Sequence, residues 1–388
     1  MIRTDYRLFM QAEIVDLPEP LRQTSISPFV GRAAELEKLR SLMPQAEGER
    51  RRVALLAGEP GAGKSRLARE FAAQVATEGV LVLYGACDAV VRTPYGPFVE
   101  ALERLVRVTG EAQLRAALGA GGGELTRLLP DLPARVGGLA QPVKADADTE
   151  RHRLHTAVAD MLANVSRARP VLLVLEDGHW ADATTLLLLR HMARAAWSAR
   201  LLILATFRDS EAEVPAELSE TLADLRRCDD VVRMRLEGLS GAEVSALVSR
   251  AAGSDPDPGD VELHELASTI HDLTAGNAFL VCELWRAAVE TGMVEIAGGR
   301  VRVNGPLSEF GTPESVREVV SQRLSRLAPR TIELLELAAV AGPEFELEPV
   351  RRAAGIAEPE LLAALEEAVG SGMIEELRAQ RLACRFTH

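Results

Sequence analysis

The chain has 388 residues, of which 47% are apolar, so it is long enough for two or three domains with buried cores. Its 44 Lys and Arg residues against 57 Asp and Glu residues give a net charge of −13, which disfavours a broad DNA-binding surface. No run of 18 apolar residues is present, and the first residues do not resemble a secretory signal. We therefore expect a cytoplasmic protein without membrane contact. The four cysteines lie far apart and are expected to be small buried apolar residues in a reducing compartment.

The first part of the chain leads to a glycine-rich turn. Residues 1–28 mix prolines with polar residues and are predicted to be a leader or linker. A helix then begins after Gly31, because Leu36, Leu39 and Leu42 recur at helical spacing. The apolar run 53–57 predicts a strand, and residues 66–73 predict a helix. Between them stands G-E-P-G-A-G-K-S, so the order is strand, turn, helix.

This turn has the pattern of a phosphate-binding loop in the context that the pattern requires. The glycines let successive backbone N–H groups point into one concavity, and the following helix adds the positive end of its dipole. Lys64 is expected to reach the β and γ phosphates, and the Ser65 hydroxyl is expected to bind Mg²⁺. The sequence therefore predicts a site for a polyphosphate.

Two acidic residues follow a second buried strand. Residues 171–175 are all apolar, and Glu176 and Asp177 come directly after them. Ligands of open α/β sheets bind at the carboxyl ends of the strands, so these carboxylates are expected beside the phosphate loop. We assign Glu176 to the metal and Asp177 to the attacking water. The competing interpretation is an acidic turn after a buried strand.

A neighbouring strand carries further candidates. The apolar run 201–205 ends in Thr206 and Arg208, which are expected where a γ-phosphate can be sensed. A structural ion pair is the alternative for Arg208. His152 and His155 lie three residues apart on a predicted helix over 148–168 and could share a metal. No third ligand has suitable spacing, so packing roles are favoured for both histidines.

The second half of the chain is mostly helical. Residues 231–236 predict the last strand of the sheet, and helices are predicted over 240–252, 261–274 and 277–291. A third unit is predicted from residue 312, with helices over 315–327, 330–341 and 358–370, a short linker before the last helix, and an alternating end over 373–386. Three helices and a hairpin-like end indicate a small winged-helix module. The chain stops within a predicted strand, so we expect the natural protein to continue.

With these motifs in view, residues 29–388 resemble the signal-transduction ATPases with numerous domains, an AAA-related P-loop group. The greatest likeness is to the nucleotide-binding region of large ATP-binding LuxR-type transcriptional regulators. Phe29-Val30-Gly31-Arg32 resembles the adenine-side motif of that group, and 176–182, E-D-G-H-W-A-D, resembles its Walker B and the following signature. Asn277 and Ala278 stand in the lid motif that usually reads Gly-Asn-Pro. The resemblance implies nucleotide contacts by Val30, Gly31, Arg32, Gly58, Gly61, Ala62, Gly63, Lys64, Ser65, Arg66, Thr206, Asn277 and Ala278.

The chain departs from the pattern of that group at three points. Ala278 replaces a proline, Gly178 replaces a leucine, and Glu176-Asp177 reverses the general Asp-Glu order. The first departure removes a rigid contact expected against the adenine, and the second predicts a looser loop behind the acids. The shorter Asp177 on the water side predicts slow ATP hydrolysis, with Lys64, Glu176 and Arg208 as its partners in catalysis.

The resemblance implies an α/β fold with a parallel sheet of the ASCE P-loop type over 29–236, a helical lid over 237–311 and a winged helix over 312–388. It implies a switch in which ADP holds the module closed, ATP with Mg²⁺ opens it for self-association or for release of an effector, and hydrolysis resets it. The effector would be a protein or a small molecule, and DNA would be bound through a domain outside this chain. Two rivals stay open: an AAA-type ATPase that remodels a partner protein, and a DNA-contacting winged helix with a structural nucleotide.

Overall fold

The computed structural model describes most of the chain. The described residues are 17–22, 27–44, 51–88, 92–194, 198–208, 216–255, 260–297, 300–304, 327–342, 344–370, 374–376 and 383–386.

A sheet of five parallel strands forms the centre of the first domain. The strands are β1 Arg52–Gly58, β2 Leu81–Ala86, β3 Val171–Glu176, β4 Leu201–Arg208 and β5 Val231–Leu236, and they pair in the order β2-β3-β4-β1-β5. Strands β1, β3 and β4 contain the apolar runs 53–57, 171–175 and 201–205 because helices cover both faces of the sheet. The parallel α/β P-loop fold predicted from the sequence is therefore confirmed.

The strand register brings the predicted site residues to one edge of the sheet. Gly58 at the end of β1 pairs with Arg208 on β4 and with Leu236 on β5. On the other side, Ala86 at the end of β2 pairs with Glu176 on β3. Because all these strands run in the same direction, their carboxyl ends form one continuous rim.

Helices cover the two faces of the sheet and form two separate cores. The helices of this domain are α1 Ala33–Leu42, α2 Lys64–Thr77, α3 Gly96–Val108, α4 Glu111–Leu118, α5 Gly122–Leu125, α6 Leu132–Arg135, α7 Ala147–Ala168, α8 Ala183–Arg194 and α9 Ala216–Leu225. One core lies under α3, α4, α7, α8 and α9, and the other lies under α1 and α2. Short 3₁₀ turns stand at Glu19–Leu21, Gly119–Gly121 and Gly178–Trp180.

Part of the segment predicted as a leader belongs to the core. Leu17 and Leu21 are buried in the same cluster as Phe71 of α2, and the 3₁₀ turn between them packs on that helix. The side chain of Arg22 donates to the carbonyl of Leu17 over 2.7 Å and closes the turn. The prolines in this segment indicated a linker, although two of its leucines are buried. The prediction of a linker over 1–28 therefore does not hold for Leu17 and Leu21.

The lid follows β5 and begins with three helices. These are α10 Gly241–Ala251, α11 Val261–Thr274 and α12 Ala278–Glu290, followed by a hairpin of β6 Val294–Ala297 and β7 Arg300–Val303. A capping box starts α10, since Ser240 and Glu243 exchange side-chain and backbone hydrogen bonds. The hairpin was not predicted from the sequence, whereas α11 has the predicted bounds.

The described residues of the C-terminal unit form α13 Pro329–Ala341, β8 Glu344–Glu346, α14 Leu347–Ala354, α15 Glu358–Gly370, β9 Ile374–Glu376 and β10 Ala383–Phe386. These strands pair as an antiparallel sheet in the order β8-β10-β9. The prediction of a linker before α15 was wrong, because β8 and α14 occupy that segment. The helix predicted over 315–327 lies almost entirely outside the described residues, and the winged-helix interpretation stays a prediction.

Two arginines of this unit are bound to one carboxylate. Arg351 donates to both oxygens of Glu348, at 2.7 and 2.8 Å, and Arg352 donates to one of them at 2.9 Å. These hydrogen bonds lower the pKa of Glu348 to about 2. Residues 312–388 also contain 13 Glu against 9 Arg, so the unit is acidic as a whole. Non-specific binding of a duplex by this unit is therefore disfavoured.

None of the helices in the described part of the chain combines the length and apolarity needed to cross a membrane. The four cysteines are free thiols: Cys87 and Cys384 are buried, and Cys228 and Cys282 are partly buried.

Candidate nucleotide-binding site

The phosphate loop turns sharply between β1 and α2, and its glycines are required by conformation and by space. Gly61 and Gly63 have φ values of 79° and 93°, which side chains rarely adopt. A Cβ atom on Gly61 would lie 2.5 Å from the Oδ1 atom of Asn277. A Cβ atom on Gly58 would lie 2.8 Å from the carbonyl oxygen of Leu236 on β5. The loop is therefore packed between the sheet and the lid.

Lys64 closes the base of the loop. Its Nζ atom donates to the carbonyls of Gly58 and Glu59, both over 2.9 Å, and its side chain is only 9% exposed. Lys64 is also the first residue of α2, a helix of 14 residues. The ammonium group and the N-terminus of the helix thus lie together, which is the charge arrangement that favours a phosphate group.

The next three carbonyls of the loop accept hydrogen bonds from outside the loop. Asn277 Nδ2 donates to Pro60 over 2.8 Å, and the backbone N–H of Phe279 donates to Gly61 over 3.0 Å. Arg32 Nη2 donates to Ala62 over 3.3 Å. Since five successive carbonyls, from residue 58 to residue 62, are bound in this way, the loop is held in one conformation before any ligand arrives. An ordered loop of this kind is a ready-made anion site.

Asn277 has a second role as the N-cap of α12. Its Oδ1 atom accepts from the backbone N–H of Leu280 over 3.3 Å while its Nδ2 atom reaches the phosphate loop. Ala278 comes next and lies over the loop, with its Cβ 3.9 Å from the position of a Cβ on Gly63. Both predicted lid residues therefore lie against the loop, and their contact with nucleotide stays a prediction.

The adenine-side motif joins the nucleotide domain to the lid. Phe29 packs on the core beneath α2, whereas its neighbour Val30 is buried in the core of the lid. Arg32 is 7% exposed, and its Nη2 atom also donates to the carbonyl of Glu237 over 2.6 Å, at the start of the lid. Gly31 lies so close to Glu243 that a Cβ there would be 2.3 Å from the Oε1 atom. This segment therefore sets where the lid stands.

Ser65 is partly buried at the second position of α2, directly after Lys64. Arg66, in contrast, is directed to the N-terminal segment. It donates to the carbonyl of Ser27 over 3.1 Å and to Glu70 over 3.0 Å, and its guanidinium stacks over the Phe29 ring at 5.7 Å. These contacts give Arg66 a structural role, and its contact with nucleotide stays a prediction.

Glu176 ends β3 with one carboxylate oxygen bonded and the other without a partner. The Tyr84 hydroxyl donates to Oε2 over 2.8 Å. Oε1 is buried and has no hydrogen-bond partner among the described residues. A buried oxygen of a carboxylate is a hard ligand, and Mg²⁺ prefers such ligands. Glu176 and the Ser65 hydroxyl therefore fit a magnesium ion, which would neutralise charge on the phosphates.

Asp177 has the left-handed backbone conformation, with φ 55°, and its backbone N–H donates to Thr206 Oγ1 over 3.1 Å. Burial and the charge of Glu176 raise the pKa of Asp177 from 3.8 to about 6, although Lys64 and Arg208 oppose the rise. A carboxylate with this pKa is ionised at neutral pH and is still basic enough to accept a proton.

Thr206 and Arg208 occupy neighbouring positions at the rim. Thr206 is buried, and its hydroxyl accepts from the backbone of Asp177, so it fixes the acidic turn. Arg208 lies beside Gly58 in the sheet and stacks on Trp180 at 5.3 Å. Its charge lowers the pKa of Asp177, which places it within electrostatic range of the acidic pair. A direct phosphate contact by either residue stays a prediction.

The turn after the acidic pair is regular, although Gly178 was expected to loosen it. Residues Gly178–Trp180 form a 3₁₀ turn in which the backbone N–H of Trp180 donates to Asp177 over 2.9 Å. A Cβ on Gly178 would lie 3.3 Å from the carbonyl oxygen of Thr206, which is a tight contact. Glycine therefore lets the turn after β3 approach β4 closely at this point.

His152 and His155 contact aromatic and imidazole rings. The rings of both residues lie near His191, with centroids 5.6 and 5.5 Å apart. The Tyr95 hydroxyl lies 3.2 Å from Nε2 of His155. Burial lowers the pKa of His155 to about 4, so this imidazole is neutral at neutral pH. Within the described ranges, no group of three or more His, Cys, Asp or Glu side chains is arranged to hold a metal ion.

The sequence of the first domain has a recognisable counterpart among protein families. Residues 28–204 match the AAA ATPase domain family. The match covers the phosphate loop, the acidic pair and the first half of β4, and it supports an AAA-type P-loop ATPase domain that binds nucleotide. A comparison with curated proteins gives no significant match.

Among solved structures, similarities extend over almost the whole chain at low identity. Cdc6p from Pyrobaculum aerophilum is 14% identical, with 95% of this chain and 93% of that chain covered and a TM-score of 0.43. The ORC2 protein of Aeropyrum pernix, in ADPNP and ADP complexes, is 15% identical, with coverage of 96% and 93% and a TM-score of 0.43. A RuvB variant from Thermotoga maritima is 14% identical, with coverage of 95% and 96% and a TM-score of 0.36. Scores this low carry no argument about activity or partners.

Two contacts at the ATPase site were missed by sequence reasoning. Phe279 contributes a backbone N–H, for which no side-chain pattern exists. Tyr84 ends the apolar run 80–84, a pattern that indicates core packing and not a polar contact. A hydroxyl inside such a run requires a partner when it is buried, and this requirement was the available signal.

Proposed function

We propose that this chain is a regulatory switch that binds ATP or ADP with Mg²⁺, with slow hydrolysis resetting its state. The observation that carries the proposal is the set of hydrogen bonds from Arg32, Asn277 and Phe279 to three successive carbonyls of the phosphate loop. Since these bonds join the lid and the segment beneath it to the loop, any loop movement on phosphate binding changes the lid contacts. This linkage is what a nucleotide-dependent switch requires.

The chemistry follows from the rim of the sheet. The loop amides and Lys64 would bind the phosphates, and Lys64 would exchange its carbonyl partners for phosphate oxygens. Asp177 would accept a proton from water as the water attacks the γ-phosphorus and the bond to the β-phosphate oxygen breaks. Arg208 would stabilise the charge that spreads over the γ-phosphoryl oxygens. The short side chain of Asp177 supports slow turnover, because it positions water less closely than a glutamate.

Hydrogen exchange of the Phe279 amide tests the switch. We expect this amide to be protected in the Mg²⁺–ADP complex and to exchange at least tenfold faster with Mg²⁺ and a non-hydrolysable ATP analogue. Asn277→Ser is the matched variant, because serine keeps the N-cap of α12 but does not reach Pro60. In Asn277→Ser with Mg²⁺–ADP, the Phe279 amide should exchange at a rate close to the wild-type rate with the ATP analogue. Equal exchange in the two nucleotide states would refute the switch while leaving nucleotide binding intact.

The partners of the switch belong to the same proposal. ATP-dependent self-association, an effector protein or small molecule, and DNA bound by another domain are expected by resemblance to regulators of this group. Steady-state hydrolysis at increasing protein concentration separates the switch from a remodelling ATPase. A remodelling enzyme should turn over faster as it oligomerises, whereas the switch should stay slow.

A further inference from the structure

We propose that Tyr84 is a positioning residue that orients the Glu176 carboxylate towards Mg²⁺; the inference rests on the proposed binding of Mg²⁺ with nucleotide. Tyr84 lies on β2 and Glu176 on the adjacent strand β3, where the parallel register pairs Ala86 with Glu176. The phenol hydroxyl donates to Oε2 over 2.8 Å. The contact joins residues 92 positions apart, so the fold creates it.

The hydrogen bond gives the two carboxylate oxygens of Glu176 different roles. Oε2 is held by the hydroxyl, while Oε1 is buried without a hydrogen-bond partner among the described residues. A buried carboxylate oxygen without a donor is costly unless a cation or a donor reaches it. The fixed oxygen prevents rotation of the carboxylate and leaves one defined ligand position. A partner of this kind tunes metal affinity without touching the metal.

The position of Tyr84 makes an accidental contact improbable on physical grounds. Its side chain is 5% exposed and belongs to the same buried core as Val174, its register partner on β3, and Phe71 of α2. An apolar side chain would satisfy this packing, and a phenol is tolerated only because its hydroxyl is bonded. A hydrogen bond from a hydroxyl to a carboxylate is charge-assisted, and such a bond is stronger than a neutral one.

The two acids of the pair are thus anchored from opposite sides. Tyr84 holds the side chain of Glu176 from β2, and Thr206 holds the backbone of Asp177 from β4. Because these two hydrogen bonds are separate, the role of Glu176 at the metal can be tested without disturbing Asp177.

Tyr84→Phe tests the inference through the magnesium dependence of nucleotide-induced stabilisation. The melting temperature is measured with ADP at fixed concentration over a series of MgCl₂ concentrations, and with ADP and chelator. We expect the magnesium concentration for half-maximal stabilisation to rise about 10- to 100-fold, the usual effect of losing such a partner. Stabilisation by metal-free ADP should be unchanged. Tyr95→Phe is the matched control, since it removes a phenol hydroxyl that contacts His155 instead.

The outcomes separate the possible failures. If the wild-type protein shows no magnesium dependence, the proposed function fails at its metal. If the wild-type protein shows it and Tyr84→Phe shows the same dependence, the inference on Tyr84 is overturned. A loss of metal-free ADP binding in Tyr84→Phe would also overturn it, since that loss would reveal a structural role. As a second variant, Glu176→Gln should lose the dependence, and adding Tyr84→Phe to it should change nothing further; additive effects contradict the inference.

Discussion

The backbone N–H of Phe279 donates to the carbonyl of Gly61 over 3.0 Å, so the first turn of the lid helix α12 is bonded to the phosphate loop. A backbone bond of this kind does not depend on the identity of a side chain. The strength of this hydrogen bond depends on the positions of both backbone segments. Gly61 can occupy its position because glycine adopts its φ value of 79° without strain. Lid and loop are therefore expected to respond as one unit to changes in either segment.

Gly61→Ala should break the contact between the lid helix α12 and the phosphate loop. The new Cβ would lie 2.5 Å from Asn277 Oδ1 and 3.0 Å from the Cβ of Phe279, in a backbone conformation that side chains rarely adopt. We expect ADP affinity to fall at least tenfold, because the loop and α12 must separate. Calorimetry with ADP measures the loss.

Gly79→Ala is the control for that variant. Gly79 has a similar φ value of 86°, but a Cβ there meets nothing within 4 Å. It should therefore show only the conformational cost of about 1 kcal/mol in the free energy of unfolding, with ADP affinity unchanged. Equal loss of affinity in both variants would contradict the lid contact as the cause.

Asp177 should make turnover and stability depend on pH around 6. Its pKa is raised from 3.8 to about 6, mainly by burial, so the folded protein holds a proton between these values that the unfolded chain releases. Without nucleotide, stability should therefore fall as pH rises from about 4 to about 6. Turnover should change in the opposite direction and fall as pH decreases through about 6, because protonated Asp177 accepts no proton.

Asp177→Asn removes the titrating group and tests both trends. The variant should match the wild-type protein near pH 4 and be more stable above pH 6, since it carries no buried charge. Hydrolysis should fall at least a hundredfold, while ADP binding persists. Melting curves across pH and a phosphate-release assay measure the effects. A wild-type pH profile of stability unchanged by the substitution would exclude Asp177 as its source.

Ala278→Pro should be accommodated. Ala278 is the first residue of α12, where the helix requires no N–H from it, and Asn277 has φ −59° and ψ 114°, which a following proline permits. The bond from Phe279 to Gly61 is kept. We expect a gain of about 0.4–1 kcal/mol in the free energy of unfolding, seen as a higher melting temperature. A loss of more than about 1 kcal/mol would show that the loop cannot accept the ring beside Gly63.

The sequence predicted the parts of the site that follow one another along the chain. The phosphate loop needs only a strand, glycines, Lys64 and a helix in order, and the acidic pair needs only a buried strand before Glu176. In such local patterns, the order of residues along the chain determines the geometry. A contact between distant residues leaves no such pattern in the sequence. The hydrogen bond from Arg32 to Glu237, 205 residues away, was therefore not predicted.

Other differences arise where local signals conflict. Helix α14 Leu347–Ala354 was missed because it has only eight residues and stands between Gly342 and Gly355, which suggested a linker. The resemblance assigns Arg66 to nucleotide because it continues the loop motif, and this assignment stays a prediction. Its guanidinium donates to the carbonyl of Ser27, a contact with the N-terminal segment that the loop motif does not indicate.

Every proposed role of the site depends on phosphate binding at the loop that Lys64 closes. The decisive measurement is the shift in melting temperature with saturating Mg²⁺ and ATP for the wild-type protein, Lys64→Ala and the exposed control Lys38→Ala. Ligand at 100 times its dissociation constant stabilises by about 2.7 kcal/mol, which gives a shift of several degrees. We predict this shift for the wild-type protein and Lys38→Ala and none for Lys64→Ala. An equal shift in all three proteins would place the nucleotide elsewhere and contradict the account.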